Sequence, residues 1–151
     1  MNRTTLRTLH VFFARLGLLL IVLFWSSTLI SELFLSLQAI TLVKQTIAYT
    51  MILLAFSMAM TGMTGAKMAG KATHPSIQAK RKRMPFIALI GLFIMIPCAI
   101  FLHLRASSGN FDTLFYGVQV LELAFGLVNM TLMALSMKDG MSIRKPKTLA
   151  S

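Results

Sequence analysis

Four apolar runs, each long enough to cross a bilayer, limit what this chain can fold into. A hydrocarbon core of about 30 Å is crossed by about 20 helical residues. Residues 16–35, 47–66, 85–103 and 114–137 meet that requirement. The hydrophobic fraction of 56% in 151 residues also exceeds what a soluble domain of this length can bury. The sequence therefore predicts an all-α, polytopic membrane protein, a single domain built as an antiparallel bundle of four transmembrane helices.

Positive charges lie between the apolar runs and are divided unequally between the two sides. Thirteen of the fifteen Lys and Arg residues fall with the termini and the central loop 67–84, whereas only Lys44 and Arg105 fall on the other side. Because cytoplasmic segments are enriched in Lys and Arg, we expect both termini and the loop in the cytoplasm. Basic residues beside a span also attract anionic lipid headgroups. In the loop these residues are Lys67, Lys71, Lys80, Arg81, Lys82 and Arg83.

The composition excludes several classes of protein. A net charge of +11 would suggest nucleic acid as a partner, but no polar recognition element remains outside the apolar runs. We therefore expect no nucleic-acid partner. Cys98 is the single cysteine, which rules out an intrachain disulfide, a dithiol redox motif and a thiolate zinc site. The sequence carries no nucleophile motif or phosphate-binding loop, so enzymatic activity has no support.

Small residues recur every four positions in the second run, at Ser57, Thr61, Gly65 and Ala69. In lipid, helices associate through close packing of small residues because water does not drive them together. This ridge predicts a helix-packing face. It would serve equally for packing within the chain or against a second copy.

The fourth run places its polar residues on one helical face. Gln119, Glu122, Gly126, Asn129 and Met133 follow one another at steps of three and four. At 1.5 Å per residue, Glu122 lies about 12 Å into the helix, close to the midplane. An ionisable side chain at that depth is a functional candidate by default. The alternative is that Glu122 and Gln119 only hydrogen-bond neighbouring helices.

Charged residues also gather near the outer ends of the runs, and we predict an outer-face cluster there. Histidine titrates near neutral pH, so such a cluster could form a proton-accessible mouth. Ordinary interfacial anchoring and ion pairing explain the same residues. The members are Glu32, Lys44, His103, Arg105 and Asp112.

Two prolines shape the third run. Pro85 suits the first position of a helix, where its missing N–H is not needed. Pro97 lies inside the same run, where proline is expected to kink a helix.

No cofactor is predicted, although haem, a quinone and copper are left open. Twelve methionines are compatible with copper(I), since thioethers are soft ligands. Met95 beside Cys98 is one such pair. Methionine is also a flexible filler of helix bundles, and Met60 and Met63 have no histidine or cysteine clustered with them.

Several segments resemble pieces of uncharacterised small four-span inner-membrane proteins of bacteria. They are KRKRMPFIALIGL, FDTLFYGVQVLELAFGLVN and LMALSMKDG in the second half, with MAMTGMTGAKM in the second run. The resemblance implies a bacterial cytoplasmic membrane. It implies no activity, ligand or site.

The residues favour a non-enzymatic role. We expect a small transporter or channel-like component, or an accessory subunit, whose intramembrane polar site comprises Gln119, Glu122 and Asn129. The alternative is a redox protein that handles a quinone or haem at the outer face with His103 and Glu32. Expected partners are the bilayer and either further copies of the chain or another membrane subunit.

Overall fold

The computed structural model describes residues 2–70 and 75–142, and nearly all of them are helical. The helices are α1 (Arg3–Phe34), α2 (Leu37–Ala69), α3 (Pro75–Ile90), α4 (Ile96–Ser107) and α5 (Thr113–Ser142). A π-helical turn, Gly91–Met95, joins α3 to α4 into one continuous span. Four helices are thus long and apolar enough to cross a membrane, which confirms the all-α, four-helix prediction.

The distribution of side chains is that of a protein surrounded by lipid. Large apolar side chains such as Phe34 and Ile52 are more than three-quarters exposed, and many others line the outside of the bundle. Polar side chains such as Ser31, Lys44 and Ser57 are buried instead. A soluble protein rarely exposes so much apolar surface, so the architecture is that of a multi-pass membrane protein.

The first hairpin is tighter than the sequence suggested. Only Leu35 and Ser36 separate α1 from α2. Ser36 caps α2, its hydroxyl accepting a hydrogen bond from the backbone N–H of Ala39 at 3.4 Å. The predicted link between residues 35 and 47 is therefore mostly helix. As a consequence Lys44 belongs to α2 and lies inside the bundle.

The central segment also differs from the prediction. The proposed loop 67–84 is largely helical, because α2 continues to Ala69 and α3 already begins at Pro75. Gly70 ends α2 with a φ of 44°, a conformation that favours glycine. Pro85 consequently lies within α3 instead of starting it. The predicted headgroup contact Lys71 lies outside the described residues, as does His74.

The irregularity predicted at Pro97 occurs one turn earlier. Within the π turn, the N–H of Ile96 donates to the carbonyl of Gly91, five residues back. Pro97 then occupies the start of α4, where it has no N–H to donate. The widened turn accommodates the proline without ending the span.

Three small apolar clusters hold the helices together. Ile40, Leu102 and Phe115 pack where α1 meets α2 and α4 meets α5, which we call the opposite end. Farther along the bundle, Ile47, Met51 and Ala99 form a second cluster, and a third comprises Ile21, Ile87 and Met133. The other end, where α1 begins and α2 leads toward α3, carries Lys67 and residues 80–83 and is called the basic end.

The ridge of small residues in α2 packs against α1 of the same chain. Ser57 and Thr61 are buried, while Gly65 and Ala69 are half-buried. A Cβ added at Gly17 of α1 would lie 3.9 Å from the Ser57 Cβ. A Cβ at Gly65 would lie 3.1 Å from the ring of His10. The close approach of these two helices therefore depends on small side chains on both.

Candidate functional site

The predicted polar face of α5 is buried along its length. Positions three and four residues apart face the neighbouring helices, and four of the seven are polar. Phe115 and Met133 pack in the apolar clusters. The buried face comprises Phe115, Gln119, Glu122, Gly126, Asn129, Met133 and Ser136.

Glu122 is paired with a lysine of another helix. Its Oε2 accepts a hydrogen bond from Lys44 Nζ at 2.9 Å, and the two residues are 6% and 1% exposed. The same oxygen accepts a hydrogen bond from Gln119 Nε2 at 3.3 Å. Lys44 Nζ also donates to Thr28 Oγ1 of α1 at 3.4 Å. One carboxylate oxygen therefore links α2 to α5, and the lysine links both to α1.

Neighbouring contacts hold α1 against this pair. The indole N–H of Trp25 donates to the carbonyl of Leu123 at 3.0 Å. A Cβ added at Gly126 would lie 3.2 Å from the Trp25 ring, so the indole needs that glycine. Leu123, which follows Glu122 in α5, is thereby held to α1 by a hydrogen bond.

The ion pair is expensive to bury and costly to break. Moving each ion out of water costs several kcal/mol, and mutual attraction offsets this only with good geometry. Removing one partner of a buried pair typically costs about 3–5 kcal/mol. The pair thus ties the assembly of three helices to one electrostatic contact.

A second carboxylate lies near the pair. Glu32 of α1 is half-buried, and it lies within electrostatic range of both Lys44 and Glu122. Its Oε1 has no hydrogen-bond partner in the described part of the chain. One lysine thus lies within electrostatic range of two carboxylates.

Glu122 borders an internal cavity of about 530 Å³. Thr28 and Glu122 line it toward the opposite end, whereas Lys80 and Ser136 line it toward the basic end. Glu122 and Ser136 are fourteen residues apart, so the cavity follows about 21 Å of α5. The wall between them is mostly apolar and rich in methionine.

The structure divides the predicted outer-face cluster. Lys44 is not at that face but inside the bundle with Glu122, because the early start of α2 carries it inward. Arg105 and Asp112 form their own ion pair at 2.7 Å. His103 contacts the Tyr49 ring at 5.9 Å between centroids and Ser107 Oγ at 3.3 Å. Within residues 2–70 and 75–142, no hydrogen bond or ion pair joins His103 to Glu32.

Sequence reasoning missed Lys44 as an intramembrane residue. Ile40, Lys44, Ile47 and Met51 are all buried and recur at steps of four, three and four. That spacing is a helical signal, and it could have placed Lys44 on the inner face of α2.

A second polar group near the basic end was also missed. His10 is buried, with Nδ1 at 3.1 Å from the Thr61 carbonyl oxygen and Nε2 at 3.0 Å from Lys80 Nζ. Since the ammonium of Lys80 can only donate, His10 Nε2 accepts and Nδ1 carries the proton. Arg83 and Asp139 form an ion pair nearby. Of the predicted headgroup residues, Lys67, Arg81 and Lys82 are exposed, and Lys80 and Arg83 are half-buried.

Among the described residues, no group of three or more His, Cys, Asp or Glu side chains is placed to hold a metal ion. Met95 lines the cavity, whereas Cys98 is buried away from it. The two soft ligands that suggested copper therefore do not share the cavity wall.

Comparisons with known proteins returned no significant match to a family model, to a curated protein sequence or to a solved structure.

Proposed function

We propose that this protein is a small transporter or channel-like component of a bacterial cytoplasmic membrane, with both termini and the basic end in the cytoplasm. One observation carries the proposal: Glu122 is paired with Lys44 and at the same time lines an internal cavity. Ionisable residues inside a membrane that border a cavity mark ion and substrate pathways.

Coupling would arise from a change of partner at Lys44. A proton that reaches Glu122 through the cavity neutralises the carboxylate that holds Lys44. Glu32 is the remaining carboxylate within electrostatic range, so Lys44 can pair with it instead. The two pairings define two states of α1, α2 and α5, and a ligand that favours one of them shifts the equilibrium.

Proton flux into proteoliposomes tests this role. A potassium gradient with valinomycin sets an inside-negative potential, and an enclosed pH-sensitive dye reports proton entry. We expect wild-type protein to acidify the lumen well above empty liposomes, and Glu122→Gln to reduce the rate at least tenfold. Asp112→Asn removes a carboxylate from the surface pair with Arg105 and should leave the rate unchanged.

Two results would contradict the proposal. One is a wild-type rate equal to that of empty liposomes. The other is an undiminished rate in Glu122→Gln protein whose circular dichroism and elution volume match the wild type.

The redox alternative stays a prediction with a separate test. It depends on His103 and Glu32 at the outer face, and the ring of His103 lies against Tyr49. A visible absorption band or a quinone that co-purifies with the protein, lost in His103→Ala, would favour it over transport.

A further inference from the structure

The internal cavity is open on one side, between α2 and α3. These two helices barely touch. Residues that line the cavity there are also exposed at the surface, including Ala55 and Ala59, Met63 at 55% and Leu92 at 58%. Because this surface belongs to membrane-spanning helices, the opening faces hydrocarbon. A molecule that enters through it must be soluble in lipid.

The middle of the cavity suits a flexible hydrocarbon chain. Methionine side chains are unbranched and adapt to irregular apolar shapes. The volume of about 530 Å³ is within the range of about 300–1,000 Å³ found for small-molecule sites. The methionines in the wall are Met51, Met58, Met63, Met84, Met95, Met133 and Met137.

Two buried polar atoms in the cavity wall lack a partner. Asn129 is 3% exposed and Ser136 is 6% exposed. Neither Asn129 Oδ1 nor Ser136 Oγ has a hydrogen-bond partner in the described segments. An unsatisfied buried polar atom is destabilising because it has lost its bonds to water. Ser136 Oγ can donate a hydrogen bond to an anion toward the basic end of the cavity, whereas Asn129 Oδ1 can only accept one and lies two helical turns farther along α5.

The charge near that end favours an anion. Lys80 lines the cavity, and its hydrogen-bond partner His10 is an uncharged acceptor. Lys80 and Arg83 together carry two positive charges against the single negative charge of Asp139, which pairs with Arg83. Asp139 also acts electrostatically on Lys80, so this group of three keeps one net positive charge, which favours an anionic head. At the other end of the cavity, Glu122 would repel one.

We propose that the cavity binds a single-chain amphiphile of the fatty-acid class. Its carboxylate lies at Lys80 and Ser136, its chain lies along the methionines past Asn129 toward Glu122, and it enters from the bilayer between α2 and α3. This site goes beyond the transport role, because equilibrium binding needs no proton exchange at Glu122.

The single tryptophan provides a direct assay, because Trp25 lines the cavity. Bromine quenches indole fluorescence at contact distance, so 9,10-dibromostearate is the probe. It would be added to wild-type protein in nanodiscs of dioleoyl phosphatidylcholine. We expect saturable quenching that unbrominated stearate reverses.

Paired variants distinguish a probe bound in the cavity from a probe dissolved in the bilayer. Ala59→Phe places a ring in the opening and should weaken probe binding at least tenfold. Ala134→Phe makes the same change at an exposed position of α5 that does not line the cavity, and binding should be unchanged. Lys80→Gln should weaken the carboxylate probe about tenfold and leave binding of the corresponding dibromo-alcohol unaltered.

Several outcomes would overturn the proposal. Quenching that rises without saturation and is not reversed by stearate would mean that Trp25 senses only bulk lipid. No quenching would mean that the cavity holds water. Displacement of the probe by an isoprenoid benzoquinone but not by stearate would assign a different class of ligand. If both Ala59→Phe and Lys80→Gln bind the probe as the wild type does, the proposed opening and the proposed carboxylate site are both wrong.

Discussion

Near the opposite end of the bundle, Glu122 accepts hydrogen bonds from Lys44 and Gln119. Two helical turns farther along α5, the side chain of Asn129 faces the cavity, and its amide oxygen has no hydrogen-bond partner among the described residues. Both residues belong to the same buried stripe and both meet the requirement that polar groups in a membrane be sheltered from lipid. The chain itself supplies hydrogen-bond donors to Glu122, whereas no described residue donates to the Asn129 oxygen. The first region therefore should determine stability, and the second should determine binding.

Breaking the ion pair should have the largest effect on stability. Lys44→Met leaves the Glu122 carboxylate buried without its cation, and we expect a loss of about 3–5 kcal/mol in the free energy of unfolding. Unfolding by SDS in mixed micelles, followed by circular dichroism, measures the loss. The double variant Lys44→Met with Glu122→Gln should recover most of it, because no unpaired charge remains. Equal losses in the single and double variants would show that the contact does not couple α2 to α5.

The second-largest effect on stability is expected where α1 packs closely on α2. Gly65→Leu places a side chain against the His10 ring, where even a Cβ would lie at 3.1 Å. We expect a loss of about 1–3 kcal/mol from overpacking. Gly117→Leu is the matched control, because nothing lies within 4 Å of a Cβ at that exposed glycine. A wild-type melting curve for Gly65→Leu would refute the packed face.

The smallest effect on stability is expected at the unpartnered amide. Asn129→Leu keeps a similar volume and removes an unsatisfied oxygen, so the free energy of unfolding should be unchanged or higher by up to about 1 kcal/mol. The same variant should keep saturable quenching by dibromostearate, because the amide oxygen and the carboxylate of the probe are both hydrogen-bond acceptors. Thr131→Val, on the exposed side of α5, should change neither property. Leaving a buried hydrogen-bond partner unsatisfied costs about 1–3 kcal/mol. A destabilisation by more than about 2 kcal/mol would therefore mean that Asn129 already has a partner in the protein or in tightly held water.

The helical stripe in α5 could be predicted because it is local: the spacing of Gln119, Glu122 and Asn129 alone places them on one face. The partner of Glu122 could not be predicted in the same way. Lys44 is 78 positions distant in sequence, and a lone lysine near the end of an apolar run resembles a topology signal. The contact between His10 and Lys80 spans 70 positions and was missed for the same reason. Apolar length therefore predicts the spans, and long-range charge pairing determines the site.

The π turn also determines which neighbouring helix each half of the third span faces. A π turn is equivalent to one extra residue in an α-helix, and each residue rotates the following side chains by about 100°. Before Gly91 the span packs mainly against α5, and after Met95 it packs mainly against α2. The same rotation leaves α2 and α3 apart beside the cavity. Removing one residue from Gly91–Met95 should therefore restore a regular α-helix and rotate α3 by about 100° relative to α4.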